Sequence, residues 1–252
     1  MIIELTLYTI IFLYGIVIGS FLNVCIYRIP LKENIVVVRS HCMSCGHELK
    51  WYELIPLFSF MLQRGRCRAC GTRLSFQYPF IEGLNGVLYV LIVVINGLNV
   101  DSLLYCLLIS ALIVLSVIDW RTYEIPIGIN IFILALGLIA TVIHYNDWLN
   151  HVIGFFAVSV FIYLIILLTK GRGMGGGDMK LMAAAGLLLG WKEIILAFFL
   201  GCILGSVIHV TRMKIAKADR VLAFGPYLSA GIFLTVLFGN SILSWYIGLL
   251  GF

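Results

Sequence analysis

Charge is what this sequence has least of. Asp, Glu, Lys and Arg make up only 12% of its 252 residues, about half the share of a soluble globular domain. Apolar residues make up 62%, and the mean hydropathy is +1.08. Together these values exclude a water-soluble enzyme and leave a polytopic membrane protein. The first residues carry no basic segment, and the first apolar run continues past any small-residue cleavage site. That run is expected to stay as a span and not to leave as a signal peptide. The net charge of +5 belongs to membrane orientation and gives no sign of a nucleic-acid partner.

Long apolar runs are plentiful. Eight spans are expected, near 6–25, 82–98, 103–118, 127–145, 151–169, 179–190, 194–211 and 226–250. The sixth is short for a bilayer, so it is expected to be tilted, partly buried, or begun inside the glycine-rich stretch before it. The bases orient the set. Arg28, Lys32, Arg39, Lys50, Arg64, Arg66, Arg68 and Arg73 fall between the first two spans. Arg121, Lys170, Arg172, Lys180, Arg212, Lys214, Lys217 and Arg220 fall in later loops of the same side, and only Lys192 falls opposite. The crowded side is expected to be cytoplasmic, with both termini on the other side. No internal repeat stands out.

One long polar stretch interrupts the apolar pattern, residues 28–80. Within it Cys42 and Cys45 form one C-x-x-C and Cys67 and Cys70 another, 21 residues apart, each followed by glycine (Gly46, Gly71). Two such pairs supply four soft ligands for a closed tetrahedral zinc site. Zinc would also fold a segment too small to build its own core. Disulfides are not expected in a cytoplasmic loop; redox-active or unliganded thiols, or an iron–sulfur centre, are the other readings. His41 and His47 flank the first pair and are expected outside the ligand shell. Cys25, Cys106 and Cys202 lie in apolar runs and read as small buried hydrophobes.

Two acids stand apart from the other ten. Asp119 ends the run "CLLISALIVLSVID", and Asp178 sits in "GRGMGGGDMK" before the sixth span. An ionisable residue at the edge of a span carries function by default. By the orientation above both face the cytoplasm, with two spans between them, so both can face one cleft. Two carboxylates in a partly dry site share a proton. One then takes a proton from an attacking water while the other polarises the carbonyl oxygen and later helps the amine leave. Glycines beside Asp178 would let a backbone approach closely and adopt positive φ. Residue chemistry alone leaves three readings open: a membrane aspartyl protease, a carboxylate-coupled transporter, and a zinc-dependent scaffold.

The motifs in order narrow this. "GSFLNVCIYRIP" (19–30), the paired C-x-x-C with "RGRC", "YPFIE" (78–82), "DWRTYEIP" (119–126), "GGGDMKLMAAAG" (175–186) and "FGPYLSAG" (224–231) together resemble the type IV prepilin peptidases. These are bifunctional leader peptidase/N-methyltransferases of the G-x-G-D class of membrane aspartyl proteases. The resemblance spans nearly the whole chain; Met43 and Ile127 depart from common family residues at positions that are neither ligands nor catalytic acids.

The resemblance implies cleavage of a short basic leader from prepilins and pseudopilins at the cytoplasmic face, typically after glycine. It implies methylation of the new N-terminal amine with S-adenosylmethionine. Carried over by motif, Asp119 and Asp178 would be the catalytic pair, with Gly175, Gly177 and Lys180 in the active-site loop. Gly65 matches a glycine tied to methylation, and Glu82 is a candidate for contact with the cysteine loop or with a substrate or cofactor group. The implied organisation is an all-α bundle of about eight spans. It divides into a first helix (1–27), a zinc-binding, methyltransferase-associated segment (28–80) and a peptidase domain (81–252). The implied location is the bacterial plasma (inner) membrane. Partners are the precursors and the bilayer; oligomeric state is not indicated.

Plainer readings attach to the remaining polar residues. Arg121 and Glu124 read as solvated charges around the Asp119 loop. Lys180 also fits a lysine snorkelling at a helix end. Asn23 and Arg28 read as helix-capping, headgroup-facing groups. Pro226 reads as a helix entry, with small residues after it for close packing.

Overall fold

The structure, a computed structural model, describes residues 2–216 and 222–249. Lys217 and Arg220, counted above toward orientation, lie outside the described residues. The described chain is helical apart from loops, and its only paired-strand character is two isolated bridges, His41 to Glu48 and Arg66 to Arg73. It divides into two compact units, residues 1–98 and 99–252.

In the first unit α1 (Ile2–Leu31) packs along α3 (Gln77–Asn96). Small residues allow the approach: a methyl group on Gly15 would stand 2.6 Å from the Gly86 Cα, and one on Gly19 would stand 2.7 Å from the Glu82 Cα. Buried side chains then bond across the gap. Asn85 donates to the Gly15 carbonyl at 2.7 Å, and Asn23 donates to the Tyr78 carbonyl at 3.2 Å. Arg28 is buried, not headgroup-facing. Its guanidinium donates to the carbonyls of Asn34, Val38 and Arg39, tying the loop after α1 back onto the helix. Between the helices lie the two cysteine pairs and the short α2 (Phe58–Leu62).

The second unit holds α4 (Val100–Thr122), α5 (Ile127–Ile143), α6 (Trp148–Ala157), α7 (Ser159–Leu168), α8 (Gly176–Leu189), α9 (Trp191–Ala216) and α10 (Gly225–Leu249). Local signals mark the boundaries. The Asn99 side chain caps α4 by accepting from the Ser102 amide at 2.7 Å. Tyr123 ends α4 in the left-handed region at φ 56°. The Ser159 hydroxyl bonds back to the Phe155 carbonyl where α6 gives way to α7, a contact that bends helices. Gly190, at φ 94°, closes α8.

α8 is the centre of this unit. Leu181 through Leu189 are all buried, and the helix touches α5, α6, α7, α9 and α10. Gly186 meets Gly154 so closely that a methyl group on either would collide with the other's carbonyl oxygen. That closeness replaces the broad apolar contact of soluble cores.

Every one of the eight expected spans falls on helix. Six helical stretches among the described residues are long and apolar enough to cross a membrane, with α6 and α7 counting together. α5, at 17 residues, and α8, at 14, are shorter. The short sixth span is explained: α8 starts inside the glycine stretch and is surrounded by other helices. The protein is an all-α, multi-pass membrane protein.

Candidate active site and metal centre

Asp119 lies in the last turn of α4 and Asp178 in the first turn of α8, and both are buried. The loop that leaves Asp119 passes the first turn of α8, where a methyl group on Gly177 would stand 2.9 Å from the Ile125 Cβ, so both acids lie at one end of this unit. Each is held by one glycine amide. Asp119 Oδ2 accepts from the Gly225 amide, the first residue of α10, at 2.8 Å. Asp178 Oδ2 accepts from the Gly175 amide, the residue before α8, at 3.3 Å. Helix N-termini carry unpaired amides and a partial positive charge, which suit an anion. Among the described residues the Oδ1 atom of each acid has no hydrogen-bond partner, so one oxygen of each is fixed and one is free.

The glycines work differently from the expectation. Asp178 belongs to a helix and not to a flexible loop. Gly175 and Gly177 do not have positive φ; in that stretch only Gly171 does, at 77°. What Gly177 needs is space. A methyl group there would stand 2.9 Å from the Ile125 Cβ, in the loop leaving Asp119. A methyl group on Gly225 would stand 2.8 Å from Asp119 Oδ2. The glycines thus let three chain segments converge on two carboxylates. The motif "FGPYLSAG" supplies one of those segments, and the Gly225 amide is a contact that the sequence reading did not identify. Asn130 lies in the first turn of α5, the helix that follows the Asp119 loop. It is buried and neither atom of its amide has a partner. Its only sequence signal is a polar residue in an apolar run.

The four cysteines of the first unit converge. Their sulfurs lie within 4.8 Å of one another, with Cys42 to Cys70 at 3.9 Å and Cys45 to Cys67 at 4.0 Å. Four thiolates about 2.3 Å from a zinc ion stand about 3.8 Å apart, so the cluster fits a tetrahedral metal site. The two knuckles repeat one pattern. Cys42 donates to the His47 carbonyl and Cys67 to the Thr72 carbonyl; Gly46 donates back to Cys42 and Gly71 to Cys67, all at 2.9 Å. Gly46 and Gly71 share φ 72°. The paired C-x-x-C-G units of the sequence thus fold as two copies of one turn. Amides of Ser44 and Cys45 point at the Cys42 sulfur and hold its pKa below the ordinary thiol value. The hydroxyl and amide of Thr72 pull Cys70 down to about 6. Cys45 moves the other way, to about 12: the His47 amide lowers it, but burial and the three neighbouring sulfurs outweigh that. Metal binding takes such a cluster as thiolates and releases the protons.

The other named residues separate. Glu82 is buried in α3 and its Oε2 accepts from the Leu57 amide at 2.8 Å, a contact with the segment between the cysteine pairs. Leu57 itself has φ 61°, unusual for a branched residue. Gly65 turns the chain from α2 into the second knuckle at φ 65°, where a methyl group would meet the Phe60 ring at 3.0 Å. Lys180, Arg121 and Glu124 are exposed. Trp120 is exposed at 47%, with the Arg212 guanidinium over its ring at 4.4 Å. Cys25 and Cys106 are buried as expected, while Cys202 is only half-buried.

Known proteins are similar to this chain over nearly its whole length. Residues 13–96 match the model of the bacterial peptidase A24 N-terminal domain, and residues 106–210 match the type IV leader peptidase family. A Bacillus subtilis prepilin leader peptidase/N-methyltransferase is 36% identical over 95% of this chain and 97% of its own length. Proteins of the same name from Pseudomonas putida (30% identical, covering 94% of this chain and 93% of the relative) and Legionella pneumophila (31%, covering 96% and 95%) are also similar. No solved structure matches. With both units matched and the relatives aligned almost end to end, the chain belongs to the type IV leader peptidase family, the family of the prepilin leader peptidase/N-methyltransferases.

Proposed function

We propose that this enzyme removes the short basic leader from type IV prepilins and pseudopilins at the cytoplasmic face of the plasma membrane, using Asp119 and Asp178. It then methylates the new N-terminal amine with S-adenosylmethionine. The observation that carries the first part is the pair of buried acids with matched glycine-amide contacts and one unengaged oxygen each.

The chemistry follows from that arrangement. Two buried carboxylates facing one cleft hold one proton between them. The charged member accepts a proton from water through its free oxygen as the water attacks the scissile carbonyl. The protonated member donates to the carbonyl oxygen, and the proton gained from water then leaves with the amine. Both fixed oxygens stay on their glycine amides throughout, so little reorganisation is needed. α8 spans only about 21 Å at 1.5 Å per residue, against about 30 Å for a hydrocarbon layer. With its far end at one interface, its Asp178 end lies inside the opposite one. A precursor helix inserted among the spans would present its first peptide bond at that depth, while its basic leader stays with the bases of the cytoplasmic side.

The second part rests on residues 28–80, with residues 81–252 assigned to cleavage. The cysteine cluster would hold a structural zinc ion that shapes the segment. S-adenosylmethionine supplies the methyl group when bound. Glu82 and Gly65 fix the chain around it: Glu82 holds the Leu57 amide, and Gly65 positions the second knuckle.

The test is a cleavage assay in lipid with a pilin-type precursor, read by mass spectrometry with and without S-adenosylmethionine. Wild type releases the leader and adds one methyl mass. Asp119→Asn and Asp178→Asn release nothing. Cleavage at the wild-type rate by either variant would sink the dyad.

A further inference from the structure

The segment between the two spans of the first unit leaves a run of apolar side chains exposed. Residues 54–62 read "LIPLFSFML", with one serine as their only polar side chain. Within them α2 makes a little more than one helical turn. Phe58, Met61 and Leu62, at i, i+3 and i+4, share one face of that turn and are 58%, 73% and 83% exposed. Phe60 turns the other way, toward Phe76, with ring centres 6.5 Å apart. A contiguous apolar face left outward marks a contact with something other than water.

The level of this turn along α3 says what that contact is. α3 has 20 residues, so it is about 30 Å long, the thickness of a hydrocarbon layer. Its first residue, Gln77, therefore stands near one interface. α2 does not lie beyond that residue. The amide of Leu57, just before α2, donates to Glu82 Oε2 at 2.8 Å, and a methyl group on Gly83 would stand 3.9 Å from Leu57 Cδ2. Glu82 and Gly83 are five and six residues past Gln77, about 7.5–9 Å along the helix. Interfacial segments lie about 5–10 Å into the boundary of headgroups and acyl chains. Bases follow the turn at once. Arg64, Arg66, Arg68 and Arg73 are all exposed, and the sequence has no acid between Glu53 and Glu82.

We propose that residues 54–62 dock on lipid: α2 lies in the cytoplasmic leaflet with Phe58, Met61 and Leu62 among acyl chains, and the arginines after it bind anionic headgroups. Two observations favour the bilayer over any other occupant. The segment is tethered to it at both ends, by α1 and α3. Its charge is of one sign, opposite to that of anionic lipid. A turn this short could not hold itself in a membrane. The bond from Leu57 to Glu82 holds it at its depth, and Leu57 takes an uncommon backbone, φ 61°, at that contact. The docking keeps the cysteine segment on the membrane surface, where a cut precursor still embedded by its apolar helix presents its new amine. That consequence rests on the methyl-transfer reading above; the docking itself does not.

The experiment is photocrosslinking of the full chain in nanodiscs that hold phosphatidylglycerol and phosphatidylcholine in equal amounts. Leu62→benzoylphenylalanine and Phe58→benzoylphenylalanine are compared with Ala69→benzoylphenylalanine, an exposed position between Cys67 and Cys70. Each chain is checked by melting temperature, and adducts are read by mass spectrometry. Positions 58 and 62 give lipid adducts and position 69 gives none. Phosphatidylglycerol outnumbers phosphatidylcholine among the adducts. Adding Arg64→Gln lowers that preference by up to about fivefold, the worth of one base at an anionic surface. Protein adducts in place of lipid at 58 and 62, whether within this chain, to a second copy or to an added precursor, would overturn the proposal. So would equal lipid labelling at 62 and 69. Lipid adducts with no preference between the two headgroups would overturn the part assigned to the arginines.

Discussion

The two units of this protein are held together in opposite ways. Residues 1–98 depend on a few specific contacts: four converging sulfurs, an arginine spread over three carbonyls, an asparagine reaching across two helices. Residues 99–252 depend on packing, with a central helix buried from Leu181 to Leu189 and glycines where backbones meet. Information concentrated in a few ligands fails all at once when one is removed. Information spread over packing tolerates exchange, except where a glycine or a charge has no substitute. Asp119 and Asp178 sit in the second kind of environment, and the unpartnered carboxylate oxygen of Glu53 in the first.

That contrast breaks most sharply at the acids. Asp119→Asn or Asp178→Asn is expected to lower leader cleavage by about 10⁴-fold, since residues acting as a unit lose nearly everything together. The same variants should methylate a synthetic peptide that already begins at the mature amine as well as wild type does. Mass spectrometry on both substrates measures it. Loss of methylation on the pre-cut peptide would show that the two units do not divide the work.

Much of this was legible in the sequence, and the reasons are physical. The apolar runs gave all eight helical segments because a bilayer demands long uninterrupted stretches. The C-x-x-C pairs foretold convergence because a metal needs ligands at that spacing, and the sulfurs of Cys42, Cys45, Cys67 and Cys70 do meet. Asp119 and Asp178 stood out because acids at span edges are expensive. What escaped was whatever depends on a third segment. Gly225, 106 residues from Asp119, donates to it only because α10 packs on α4. Glu53 looked like any loop acid until its Oε1 was found buried without a donor. Gly177 looked like a φ glycine, yet the constraint is the side chain of Ile125 across the gap. Arg28 looked like a headgroup contact because sequence shows charge and not the carbonyls that fold back to meet it.

The metal cluster sharpens the contrast from the other side. Cys42→Ser, or stripping with a strong chelator, is expected to reduce methylation about 10–100-fold, the range for disturbed metal sites. Amide hydrogen exchange should rise across residues 40–74, because metal and folding are coupled there. Cleavage should fall less than methylation. Equal loss of both would mean that the acids need the ordered cysteine segment.

Gly177→Ala tests packing beside the acids. The added methyl group meets Ile125 at 2.9 Å, and overpacking of that kind costs about 1–3 kcal/mol. The strain falls where the loop from Asp119 passes the first turn of α8, so cleavage should drop about tenfold while the melting temperature moves by a few degrees. Ile125→Ala in the same chain should recover part of the rate. If the double variant is no better than Gly177→Ala, the glycine is required by something other than that contact.

The smallest effect is expected at Arg39, best seen against Arg28 of the same unit. Arg28→Ala leaves three carbonyls without their donor and should cost about 2–3 kcal/mol, seen as a lower melting temperature. Arg39 pairs with Glu48 at 3.3 Å, but their side chains are 81% and 65% exposed. Water screens such a pair, so Arg39→Ala should change stability by less than about 0.5 kcal/mol. Both changes remove one positive charge from the first unit near the end of α1, so their shared electrostatic effect on a basic leader cancels in the comparison. What remains is burial. Equal melting shifts for the two would mean that the loop after α1 is held by net charge, and that the few-contacts account of this unit is wrong at Arg28.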